Sequence, residues 1–186
     1  MTALLGISKA IDWFTTWLGR IMFWLTLLMV LVGAYNVITR YLGRSLGMQL
    51  SSNVYLELQT YMYDMVFLLG AAYVLKVDGH VRVDLIYSRL SERVRAWIDI
   101  IATTLLLFPF CALGIAFSQS YVARSWAQLE TSPNANGLPR YPIKTLIIVT
   151  FALLILQGVS EIIKKAAFLS GRLKTGASAP AHRESL

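Results

Sequence analysis

The sequence is poor in the side chains that most often carry out chemistry. Its 186 residues include one cysteine and two histidines. A lone Cys111 can form neither an internal disulfide nor a dithiol redox pair. His80 and His182 lie in polar stretches outside the long apolar runs, so neither is placed as an axial haem ligand at membrane depth. No phosphate-binding loop, nucleophile elbow or metal-ligand spacing occurs. Charge is also missing over long distances. Residues 21–39 are nineteen positions without a charge, and residues 100–123 are twenty-four. These absences disfavour an enzyme and exclude an ordinary water-facing domain.

What is present is apolar surface in quantity. The chain is 56% hydrophobic, against ~45–50% for soluble domains. The two uncharged runs are long enough for a bilayer core, which takes ~20 apolar residues. Residues 58–75 are apolar apart from Asp64, and residues 145–160 are uncharged. The reading is an all-α membrane protein with four transmembrane helices, at about 18–39, 57–75, 97–123 and 143–163. A single membrane domain would cover 1–168, followed by a flexible cytoplasmic tail over 169–186.

Two stretches have the spacing of amphipathic helices lying at the interface. Leu4, Ile7, Ile11, Phe14 and Leu18 share one face before span one, although this segment could also simply extend that span. Ile86, Leu90, Val94 and Trp97 do the same between spans two and three, with Arg89, Glu92, Arg93 and Arg95 between them. Ser91 is a candidate cap for span three. Residues 92–129 could form one helix longer than the membrane is thick, with Pro109 the natural kink.

Basic residues set the orientation. Twelve of the seventeen lie before span one, between spans two and three, or in the tail, and five lie on the other side. Cytoplasmic loops carry the excess of Lys and Arg, so both termini are expected in the cytoplasm. The net charge of +7 reflects this asymmetry and attraction to anionic lipid, and it gives no sign of nucleic acid.

Within the spans, Asp64 is the most conspicuous polar residue. An intramembrane acid is a candidate ion or proton site, but with no second acid beside it, a structural carboxylate bonded to a neighbouring helix or partner subunit is the better reading. Glu57, Tyr61 and Asp64 share a face, and Arg40 lies at the depth of Glu57, so an Arg40–Glu57 ion pair is expected. Asp99 has Lys76, Arg82 or Arg95 as candidate partners, and Glu161 has Lys164 and Lys165 one turn on. Between spans two and three runs "KVDGHVRVD", residues 76–84. Gly79 can turn the chain there. His80 has no nucleophile or metal partner nearby. Arg82 and Asp84 point to one side of an extended segment and can fasten it to span three or to another subunit.

The order of these features resembles the small membrane subunit of tripartite ATP-independent periplasmic (TRAP) transporters. The likeness covers about residues 20–168. It rests on "TRY" at 39–41, Glu57 opening span two, "LGAAYVLKVDGHVRVDL" at 69–85, "RLSERVRAWID" at 89–99 and the outer loop "ETSPNANGLPRYPIK" at 130–144. Relatives often carry Trp shortly before the Glu of span two, where this chain has Tyr55. The resemblance implies a scaffold subunit of a sodium-coupled secondary transporter for organic acids in the bacterial or archaeal inner membrane. Its partners would be a large multi-span permease subunit and a periplasmic substrate-binding protein. Sodium would sit in the large subunit, leaving this chain without a cofactor. Trp126, Glu130 and Arg140 in the outer loop are candidate contacts for the binding protein.

Two other classes remain open from residues alone. One is a membrane anchor for a redox enzyme, and the other is a small independent exporter that uses Asp64 as its coupling acid. The charge asymmetry makes a direct prediction about topology. On a Cys111→Ala background, a cysteine replacing Ser178 should react with an impermeant thiol reagent only after the cytoplasmic face is opened. Labelling from the periplasm would reverse the orientation.

Overall fold

In a computed structural model, the described residues are 2–48, 52–79, 90–134 and 137–172. Four long apolar helical stretches run through them. Helix α1 is Thr2–Leu46, α2 is Asn53–Lys76, α3 is Glu92–Ala102, α4 is Phe108–Ala127 and α5 is Tyr141–Leu169. A π-helical turn, Thr103–Leu107, joins α3 to α4 into one continuous stretch. There is no strand among the described residues, only an isolated bridge between Thr131 and Pro139.

Helix α1 is one piece. The segment expected along the interface continues into the span without a break. Forty-five residues at ~1.5 Å each reach well beyond a ~30 Å hydrocarbon core. Its buried face is Ser8, Ile11, Thr15, Leu18 and Met22, whereas Leu4 and Ile7 are exposed. The face turned to the protein is thus rotated from the purely apolar one and includes two hydroxyls.

Helix α5 is the centre of the bundle. It packs against α1, α2, α3 and α4, while α1 and α2 form a hairpin with each other. Its burial is unusual for a span, since Thr150, Gln157, Gly158, Ser160 and Ala167 are all buried. Small side chains let its neighbours come close. A Cβ on Gly114 of α4 would fall 2.5 Å from the Phe151 ring of α5, and Phe110 meets the same ring edge-on at 5.8 Å. A Cβ on Gly158 would fall 2.8 Å from Phe108 and 3.1 Å from Leu107.

Pro109 does not make a simple kink. A proline in a helix lacks an N–H and its ring crowds the carbonyl four residues back. Here the preceding turn is wound one residue wider, and the Phe108 N–H reaches the Thr103 carbonyl. The irregularity is thus a π-bulge over 103–107.

The exit from α2 also differs from expectation. Asp78, and not Gly79, takes the left-handed conformation, at φ 57°. The Gly79 N–H returns to the Val74 carbonyl at 2.9 Å, and the Asp78 N–H to Leu75 at 3.3 Å. These two bonds close the helix in a Schellman motif, whose left-handed position tolerates Asp better than most residues. Leu129 holds the same position after α4, at φ 44°, with Glu130 N–H bonded to Ser125.

The close approach at Gly114 can be tested. Gly114→Val should force α4 off Phe151 and cost about 1–3 kcal/mol, read as a lower thermal midpoint for loss of helical circular dichroism in detergent. Gly70, with open space around its Cβ direction, is the control, and Gly70→Ala should leave that midpoint unchanged or higher.

Candidate functional site

Polar groups gather at two ends of the bundle. At one end, α2 begins with Ser52, whose side chain accepts from the Val54 N–H at 3.3 Å. One turn on stands Glu57, which is 8% exposed. Its carboxylate is filled by the loop between α4 and α5. The Leu138 N–H and the Asn134 side-chain amide each donate at 2.7 Å, and the Ser132 hydroxyl adds a third bond. The Tyr61 hydroxyl donates to the Leu138 carbonyl at 3.2 Å. The loop is also closed upon itself, by Ser132 N–H to Leu138 O at 3.0 Å and Arg140 N–H to Glu130 O at 2.8 Å.

Glu130 ties the base of that loop. Its carboxylate pairs with Lys144 and accepts from the Ser125 hydroxyl at 2.8 Å. These two donors, Lys144 first, hold the Glu130 carboxyl below the usual glutamate range. The Lys144 ammonium lies 4.2 Å from the centre of the Tyr121 ring. Trp126 is held from two directions. Its indole N–H donates to Thr145 at 2.8 Å, and its ring centre is 4.6 Å from that of Tyr141.

The expected Arg40–Glu57 pair does not form. Arg40 is exposed, and the Glu57 oxygens are taken by the loop. Equal depth in the membrane was insufficient, because it fixes neither the direction of a side chain nor what lies nearer. Tyr55 meets Tyr35 of α1 edge-on at 5.3 Å.

The other end contains a cluster that charge reading of the spans overlooked. Asp12 of α1 lies against α5. Its carboxylate takes Gln157 Nε2 at 3.0 Å, Ser160 Oγ at 2.8 Å and Lys164 Nζ at 3.0 Å. Thr15 donates to Gln157 Oε1 at 2.8 Å, and Ser8 and Ser160 share a bond of 2.8 Å. Lys76, at the end of α2, donates to the Asp12 carbonyl at 3.0 Å and also contacts the Thr16 hydroxyl. The signal was present. Ser8, Asp12 and Thr15 follow helical spacing on α1, as do Gln157, Ser160, Glu161 and Lys164 on α5.

The remaining candidates divide. Glu161 pairs with Lys164 at 2.5 Å as expected, but Lys165 turns to Asp99 at 2.9 Å. Asp99 thus has a lysine of α5 as a partner, which was not among the residues expected for it. Asp64 is half-buried and has no hydrogen bond or ion pair among the described residues. It lines a groove of about 400 Å³ with Tyr61, Phe67, Tyr121, Arg140 and Lys144. Gly79 is exposed at the end of α2. His80, Arg82 and Asp84 lie outside the described residues, as do residues 85–89 of the interfacial helix expected after them, whereas Val94 and Trp97 of that stretch lie in α3. Among the described residues, no group of three or more His, Cys, Asp or Glu could hold a metal ion.

Both clusters give measurable consequences. Glu57→Ala would leave three loop donors without their acceptor, so amide exchange at residues 132–138 should quicken by about tenfold or more while α5 stays protected. Acid should loosen the base of the loop as well. The Glu130 value is lowered in the fold, so its contribution is complete above the ordinary range near ~4.3 and fades as pH falls through the lower folded value. Asp12→Ala removes the acceptor shared by Gln157, Ser160 and Lys164, the last of which keeps Glu161, and should cost about 1–3 kcal/mol, read from thermal unfolding.

Residues 29–168 match the family model described as "Tripartite ATP-independent periplasmic transporters, DctQ component". No curated protein and no solved structure matches the chain. The matched region takes in residues 29–46 of α1 and all of α2 to α4, and it ends one residue short of the end of α5. It includes Glu57, the loop that Glu57 holds, and the α5 side of the Asp12 cluster. The chain therefore belongs to the DctQ family, the small membrane subunits of tripartite ATP-independent periplasmic transporters.

Proposed function

We propose that this subunit is the fixed support of a sodium-coupled uptake system for organic acids. It would lie in the cytoplasmic membrane of a bacterium or archaeon with both termini inside. A separate large permease subunit would hold the sodium and substrate sites, leaving no cofactor here. The outer loop would help receive the substrate-loaded binding protein.

The observation that carries this reading is the loop between α4 and α5. Glu57 holds Asn134 and Leu138 of this loop and Glu130 ties its base, so these described parts are fixed by the chain itself. Preorganised surfaces bind with less loss of conformational freedom. Trp126 and Leu129 are 48% and 62% exposed on this surface, and Arg140 follows them. Glu130 serves the loop internally, which leaves Trp126, Leu129 and Arg140 as the better candidates for contact. Elsewhere, exposed Tyr63 and Phe67 stack on α2 beside Asp64. That face suits a helix of the permease able to donate a hydrogen bond to the carboxylate.

Uptake by the reconstituted complex separates docking from assembly. Leu129→Glu combined with Arg140→Gln should raise the binding-protein concentration needed for half-maximal uptake by about tenfold, with the plateau rate and the yield of complex retained. An unchanged concentration dependence would restrict the loop to packing within the membrane complex.

A further inference from the structure

At the end of the bundle that holds the Glu57 clamp, the acids are turned inward and two arginines outward. Residues 40–57 and 124–144 contain five cations and two acids. Glu57 is buried under the loop, and Glu130 pairs with Lys144. Arg140 is half-buried beside Tyr61, and the Arg124 Nε–H donates to the Ser120 carbonyl at 3.2 Å. Arg40 and Arg44 are exposed, and neither has a hydrogen bond or ion pair among the described residues.

Both stand on a part of α1 that rises above its neighbour. Gly33 lies against Gln59 and Tyr35 against Tyr55, so α1 and α2 run antiparallel, with the first residue of α2 level with residues 37–39. The apolar run of α2 starts at residue 58, level with residues 32–34 of α1. At ~1.5 Å per residue, Arg40 and Arg44 lie ~9–18 Å beyond the edge of the hydrocarbon, measured along the helix. The headgroup layer is only ~5–8 Å thick. Gly47, at φ 65°, closes the last turn, and the Met48 N–H returns to the Gly43 carbonyl at 2.9 Å. The two guanidinium groups are therefore carried into water on a finished helix end.

Their own helix does not account for them. Four residues apart, they face the same side and repel each other. The helix dipole favours a cation in the last turn, where Arg44 stands, but it makes no use of the N–H groups and fades before Arg40. We infer that Arg40 and Arg44 are an electrostatic landing for an acidic patch on the periplasmic binding protein. That partner, and its approach from this side, rest on the function proposed above. Each guanidinium presents a planar fork that matches a carboxylate. No exposed, unpaired carboxylate on this side opposes the approach, since both acids are taken up within the chain. Exposed charge of one sign speeds encounter with a partner of the other and does so less in salt.

Uptake by the complex in phosphatidylcholine vesicles, which add no net surface charge, tests this. Arg40→Gln with Arg44→Gln should raise the binding-protein concentration for half-maximal uptake by about tenfold at low ionic strength, with the plateau rate and the yield of complex retained. Salt raised from ~0.02 to ~0.3 M should weaken the parent similarly and leave the variant nearly unchanged, because screening shortens the reach of the charges. Arg40→Lys with Arg44→Lys should keep most of the effect, and Arg40→Glu with Arg44→Glu should invert the response to salt. An unchanged half-maximal concentration in the Gln variant overturns the inference. So does loss of assembled complex, which would make the pair a contact with the permease. If Leu129→Glu with Arg140→Gln still raises that concentration, the landing alone is lost and the outer loop remains the receiver. If neither pair alters it, the reading of this side as the receiver falls as well.

Discussion

Gln157 carries the constraint on which the bundle depends. It is fully buried on the helix that touches all the others, and lipid has no water to offer a side-chain amide. Its oxygen needs a donor and its nitrogen an acceptor. Thr15 and Asp12 supply one each, and both stand on α1. Only one register of α1 on α5 satisfies them together, and the Ser8–Ser160 bond one turn away repeats that register. Apolar helix faces gain little from meeting each other in lipid, since the tails are equally apolar. Polar bonds and close approaches at small residues therefore decide which packing is chosen. In this chain both kinds converge on α5.

The clamp at Glu57 extends the same logic to the other end. Its carboxylate, on α2, accepts from a loop whose ends are α4 and α5. The Asp12 carboxylate, on α1, accepts from α5 and has Lys164 beside it. Lys76 then returns from α2 to the backbone of α1. Each helix is thus tied to α5, or to a helix tied to α5, by a bond that lipid cannot replace. A chain cross-braced at both ends resists sliding of one helix past another. That rigidity favours the proposed fixed support over a moving transport element.

The spans were legible because long uncharged runs have few alternative fates in a protein. The details were less so, for specific reasons. Glu57 stood out as an acid opening a span, but its partners are a backbone N–H, an amide and a hydroxyl. No count of charges identifies such donors. Asp12 was not singled out, because apolar spacing alone ignores a buried face built partly of hydroxyls. Pro109 announced a missing N–H, yet a helix can answer that loss by widening as well as by bending. Gly79 was the favoured residue for a left-handed turn. The turn fell on Asp78 because the position is set by where α2 ends, and the residue there had only to tolerate it.

The same accounting separates Asp64 from five other acids of the bundle. Asp12, Glu57, Asp99, Glu130 and Glu161 each have partners within the chain. Their satisfaction requires no second subunit, so the helices can hold their arrangement before assembly. Asp64 has no such bond and shares its groove with Arg140 and Lys144, whose positions are fixed by the outer loop. An unpaired carboxylate is poorly tolerated in hydrocarbon, and a donor from a neighbouring helix relieves it. The internal network therefore ties the helices together, and Asp64, which it leaves out among the described residues, lies on the face proposed above to meet the permease subunit.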